Sequence, residues 1–168
     1  MLYLRKVKNY KNINDPQRSF VSAYIEKHVE KHPFFHEIQS IIDWDPLDEE
    51  LRKVYTKGLT DLGAKAYAPL LLFKMVLISH WYNLSDTQTE AMVNDSLSAM
   101  RFCDLTIEDS VPSHSTLSRF KKALKEKRSY KRMLAQFETQ LDDKGLRVLP
   151  GKAGIDARIK KTPKRPKP

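Results

Sequence analysis

With 168 residues, 40% of them hydrophobic, the chain can bury one core, and its single cysteine excludes an internal disulfide and fits a reducing, cytoplasmic setting. No apolar signal-type run follows Met1; the most apolar stretch, Ala66 to Tyr82, is short for a membrane span and has Lys74 at its centre, so a helix buried in a bundle is expected and no membrane partner. The formal charge of +9 is unevenly placed: residues 1–112 hold 13 Lys/Arg against 16 Asp/Glu, and residues 113–168 hold 17 against 5. An excess of +12 confined to the last third points to a polyanion, nucleic acid above all, at one end of the molecule.

Residues 1–14 lack apolar periodicity and read as a flexible arm. Asp15-Pro16 is a helix start, and the helix is expected to run to about Lys31, where Pro33 stops it; Phe20, Ala23, Tyr24 and Val29 form its modest apolar stripe. Asp45, as N-cap before Pro46, opens a second helix carrying Leu47, Leu51, Val54 and Tyr55 and ended by Gly58. Pro69 opens a third that is apolar on nearly every side, as a central helix must be. Ser85 and Gln88 make a capping box for a fourth, with Ala91, Met92 and Val93 on its apolar side. Asn94 to Ser96 breaks the pattern, and a short fifth helix spans residues 97–103.

After a loop from Thr106 to Pro112, Ser113 or Ser115 caps a sixth helix running to about Glu126. A seventh covers Tyr130 to Asp143, with Leu134, Phe137 and Leu141 in register, and Lys144-Gly145 ends it. Only then does β character appear: Leu146 to Leu149, a tight Pro150-Gly151 turn, and Ala153 to Ile159. The expected fold is mainly α: a helical bundle over residues 15–145, a short β-hairpin over 146–159, and a basic disordered tail over 160–168. Asp156 falls within the second strand, where a carboxylate can face inward and hold a metal. Ala157 to Pro168 adds six Lys/Arg and no Asp or Glu, whereas metal-assisted phosphoryl chemistry needs several carboxylates.

The sixth helix carries the binding signal. On a helical wheel Leu117, Phe120 and Leu124 share one side, while Ser115, Ser118, Arg119 and Lys122 take the other, with Lys125 at its edge. Short hydroxyls near a helix start suit phosphates, because free N–H groups and the helix dipole point there; Ser113 and His114 join that set. Arg119 is suited to a guanine edge or a phosphate. The two preceding helices would support a helix-turn-helix-like unit, although the connection from Cys103 to Ser113 is longer than the standard turn. Lys160, Lys161, Lys164 and Arg165 are expected to add phosphate contacts from the tail.

The Pro69–Trp81 apolar helix, Tyr82-Asn83-Leu84-Ser85-Asp86, Met100-Arg101-Phe102-Cys103-Asp104-Leu105 and, most specifically, Asp109-Ser110-Val111-Pro112-Ser113-His114-Ser115-Thr116-Leu117-Ser118-Arg119-Phe120 resemble transposases of the insertion-sequence-five type, continuing through Lys144-Gly145-Leu146 into Gly154-Ile155-Asp156-Ala157 and covering roughly residues 35–165. These belong to the DDE class, with an RNase H-like catalytic domain. The resemblance implies that Asp156 is the first of three catalytic carboxylates, that residues 146–159 open the RNase H-like domain, and that the second Asp and the Glu lie further downstream than this sequence reaches. Arg158 stands where the family has a small hydroxyl residue. The resemblance further implies double-stranded DNA, the transposon terminal repeats, as partner. No cofactor is expected in this chain itself, and Mg²⁺ is implied for the full-length enzyme, held at Asp156 with the other two acids. The expectation is therefore a DNA-binding N-terminal portion, truncated and inactive in strand cleavage or transfer by itself.

Two other readings compete. One is a helical dimerisation module, forming homo-oligomers or regulating a full-length transposase by mixed assembly; the other is an inactive gene remnant. His28, Glu30, His32 and His36 lack the spacing of a zinc-peptidase helix and read as surface residues. Cys103 reads as a buried structural thiol.

Overall fold

A computed structural model describes residues 20–28, 33–57, 65–151 and 157–162. Within them the chain forms eight helices and one two-stranded antiparallel sheet: α1 Phe20–His28, α2 Pro33–Ile41, α3 Asp45–Val54, α4 Pro69–Tyr82, α5 Asp86–Asp95, α6 Leu97–Phe102, α7 His114–Glu126, α8 Tyr130–Asp143, β1 Leu146–Leu149 and β2 Arg158–Lys161. The expected mainly helical architecture with a terminal hairpin is the observed one. No helix among the described residues is long and apolar enough to cross a membrane.

The spine is α4. Pro69 is its first residue, Asn83 ends it in the left-handed conformation (φ 52°), and Leu71 to Ser79 are buried without interruption. Around it an aromatic cluster ties four helices and a loop: Phe34 meets Trp81 edge-on at 5.0 Å, Phe35 stacks on Phe102 at 5.1 Å, and Trp44 and Trp81 both reach Phe137. Lys74 is only 1% exposed, yet it is fully engaged. Its ammonium donates to Asp104 at 2.6 Å and to Gln39 Oε1 at 3.2 Å, and lies 4.7 Å from the Trp44 ring centroid. A buried cation persists only with such compensation. Asp104 sits at φ 59°, a turn geometry that brings its carboxylate over the spine. The neighbouring Cys103 is buried, and burial pushes its thiol up, away from thiolate chemistry.

Four expectations about elements are corrected. Pro33 does not merely stop a helix; it starts α2, which places Phe34, Phe35 and Ile38 in the core, so eight helices replace the expected seven among the described residues. Asp45 is the first residue of α3 rather than its cap; Trp44 is the N-cap residue, and the Asp43 carboxylate accepts the Asp45 N–H at 3.2 Å. That helix ends at Val54, because Tyr55 turns extended and buries its ring edge-on against Phe120 at 5.0 Å. Gly58 and the Asp15-Pro16 start lie outside the described residues.

The fourth correction concerns the hairpin. The second strand is Arg158–Lys161, later than expected, and Lys160 and Lys161 lie in it rather than in a disordered tail. Leu149 pairs with Arg158, a register that a two-residue Pro150-Gly151 turn cannot join, and residues 152–156, on which the start of the expected strand falls, lie outside the described residues. The Gly151 N–H donates instead to Trp81 O at 2.7 Å, tying the hairpin to the end of α4. The register follows the apolar face: Leu146, Val148 and Ile159 pack on the helical core.

Candidate nucleic-acid interface

The position of α7 is over-determined. Leu117, Phe120 and Leu124 are all fully buried. Ser113 is the N-cap; its hydroxyl accepts the Thr116 N–H at 3.4 Å and lies 3.0 Å from Ser115 Oγ. On the flank, Lys121 bridges to Asp86 at 2.6 Å and to Ser79 Oγ at 3.0 Å, joining α7 to the start of α5 and the end of α4. At the C-terminal end the Lys127 ammonium reaches the Val54 carbonyl.

With one face locked, the opposite face is presented to solvent. Ser115, Ser118, Arg119, Lys122 and Lys125 are all exposed. Arg119 donates through Nε to Ser115 O at 3.1 Å, which holds the side chain along the helix and uses one of its five N–H donors. Lys122 is 77% exposed and its nearest acid, Glu126, stands at 3.8 Å, a loose surface pair. Lys125 lies 5.5 Å from the Tyr130 ring centroid. The helix thus offers a guanidinium and two ammoniums with two hydroxyls between them.

Its N-terminus is different. The Glu90 carboxylate of α5 accepts the His114 backbone N–H at 2.6 Å and meets His114 Nδ1 at 2.7 Å. The backbone hydrogen bond, and after it the side-chain one, holds the Glu90 carboxyl below the usual carboxylate range. An anion of the protein itself therefore stands where a phosphate was expected beside Ser113 and His114. Neither Glu90 nor Lys121 stood out in the sequence, because each acquires its meaning from a neighbour on another helix.

The α5–α6–α7 arrangement has α5 packed on α7, with α6 and the long Cys103–Ser113 connection between them. In that connection the Asp109 carboxylate accepts from Thr106 N and Oγ1 at 2.8 and 2.9 Å, making a closed turn. Lys160 and Lys161 are exposed on β2. Asp156, Lys164 and Arg165 lie outside the described residues, as do His32 and the side chain of His28. Among the described residues no group of three or more His, Cys, Asp or Glu side chains converges.

Residues 23–123 match the family described as Transposase domain (DUF772). The matched stretch runs from α1 into α7 and takes in Arg119 and Lys122. No solved structure matches the chain.

Proposed function

From a chain that belongs to the transposase-domain family, we propose a DNA-docking function: residues 1–168 hold double-stranded DNA, the terminal repeats of an insertion sequence, against the outward face of α7. The observation that carries this reading is the pairing of a buried apolar stripe with an exposed cationic one on the same helix. A rigidly held helix presents its side chains in a fixed register, as groove or backbone recognition requires. Arg119 supplies the forked donor, Lys122 and Lys125 neutralise phosphates, and Ser115 and Ser118 allow close approach. With Glu90 at the helix start, the docking centre lies along the middle of α7 rather than at its N-terminus.

Within the same proposal, the chain is of the insertion-sequence-five, DDE type, with a helix-turn-helix-like unit ahead of an RNase H-like domain opened by the hairpin. Asp156 is then its first catalytic carboxylate, and Mg²⁺ the ion that such an acid set holds when bound. Strand cleavage needs two metal ions between several acids; docking needs none, and docking is the activity proposed for these 168 residues.

The test is specificity. Fluorescence anisotropy would compare duplex fragments flanking the coding sequence with scrambled duplexes, using the full chain and a chain ending at Thr162, which keeps β2 intact. Preference for one flanking fragment that survives the truncation supports the proposal. Equal affinity for all duplexes, or loss of all binding with residues 163–168, contradicts it.

A further inference from the structure

The hairpin lies outside the family match and faces two ways. One face carries Leu146, Val148 and Ile159 against the core. Strand alternation puts Arg147, Arg158 and Lys160 together on the other face, and all three are exposed. The register places Arg147 directly opposite Lys160. Like charges facing each other across an antiparallel pair destabilise it. The apolar face fixes the register, so the repulsion cannot be relieved by a slip. Among the described residues none of the three cations has an acidic partner at ion-pairing distance. The arrangement is a small folded platform of uncompensated positive charge.

We propose that this outward face of the β1–β2 hairpin, formed by Arg147, Arg158 and Lys160, is a second contact for the phosphate backbone of duplex DNA, separate from α7. The proposal rests on the reading of the chain as a DNA-docking protein. Phosphates are the fitting occupant on two grounds. Alternate strand positions put Arg158 and Lys160 about 7 Å apart with Arg147 beside them, a spacing at which a polyanion satisfies several cations together. The contacts are charged forks and an ammonium on a two-stranded ribbon, with the half-buried Leu149 opposite Arg158 as the one apolar side chain of that face, which suits backbone positioning rather than base reading.

The experiment titrates the full chain with one fluorescent duplex from 50 to 300 mM salt. Three proteins are compared: wild type, the triple variant Arg147→Gln/Arg158→Gln/Lys160→Gln, and Arg119→Ala/Lys122→Ala. Each phosphate contact contributes ~0.9 to the slope of log affinity against log salt. The hairpin variant is expected to lose about two to three in slope and at least about tenfold in affinity at the low-salt end. Lys160→Glu serves as a check on folding: it places an acid opposite Arg147, so it is expected to raise the thermal midpoint while still weakening DNA binding.

A hairpin variant with wild-type slope and affinity, alongside a weakened α7 variant, overturns this inference and leaves the α7 reading standing. A weakened hairpin variant beside an unchanged α7 variant does the reverse. Vesicles containing phosphatidylserine provide the remaining arm: binding to them as tight as to the duplex, lost in the triple variant, would make the platform a membrane contact and overturn the proposal.

Discussion

Lys74 on α4 and Lys122 on α7 have the same side chain and opposite surroundings. The first is 1% exposed and held by Asp104, Gln39 and the Trp44 ring; the second is 77% exposed with one loose acid at 3.8 Å. A basic residue is thus a structural part in one helix and an offered charge in the other. Net charge alone does not separate the two cases; partners do. Within α7 the same contrast recurs, since Lys121 is committed to Asp86 and Ser79 while Lys122 next to it points outward.

The contrast can be broken in order of expected effect. Lys74→Ala removes packing and leaves the Asp104 turn without its cation, at a cost of about 2–5 kcal/mol in urea denaturation. Lys74→Met keeps the volume and, because Asp104 is 56% exposed and can rehydrate, is expected to cost less than about 1.5 kcal/mol. Equal losses for the two would refute the packing account of the site. Arg119→Ala/Lys122→Ala is expected to change stability by no more than about 0.5 kcal/mol while weakening DNA binding by at least about tenfold. Unfolding of that variant at ordinary temperature would show that the face is structural after all.

Ser113→Ala removes the cap of α7 and should lower stability by about 1 kcal/mol, with Ser113→Gly milder; thermal melts decide it. The smallest effect concerns Glu90. Its folded carboxyl is held below the ordinary range by His114, so its contribution is present above the unfolded value and is lost as pH falls through the folded one. The difference in urea midpoint between wild type and Glu90→Gln should therefore be widest near neutral pH and close in acid. A gap that widens in acid would contradict the sign. The same variant removes a negative charge from the start of α7, so a slight gain in DNA affinity is expected with it.

Much of the fold was legible because local rules and burial agreed. The bounds of α8 and β1, the capping box of α5 and the all-apolar spine follow from periodicity and cap chemistry that tertiary packing did not override. Helix α2 is not legible when Pro33 is taken as a stop alone; a proline serves equally well as a first helical residue, and Phe34, Phe35, Ile38 and Ile42 carry the helical spacing. The strand shift at Arg158 reflects pairing with β1, which decides between neighbouring extended segments of similar propensity.

In the candidate interface, the outward stripe of α7 was legible because the helix is amphipathic. The Glu90–His114 bond was not, for it joins residues 24 positions apart through the docking of α5 on α7. Nor was the pairing of Arg147 with Lys160, which depends on register across the hairpin.

The central claim is that the outward face of α7 docks duplex DNA electrostatically. The most direct measurement is the affinity of the full chain for a flanking-sequence duplex at low salt, wild type against Arg119→Ala/Lys122→Ala, with both proteins shown to be folded by circular dichroism. The account predicts tight, salt-sensitive binding by the wild type and a loss of at least about tenfold, with a slope shallower by about two, in the variant. Indistinguishable affinities, or no binding by the wild type even in dilute buffer, would contradict it.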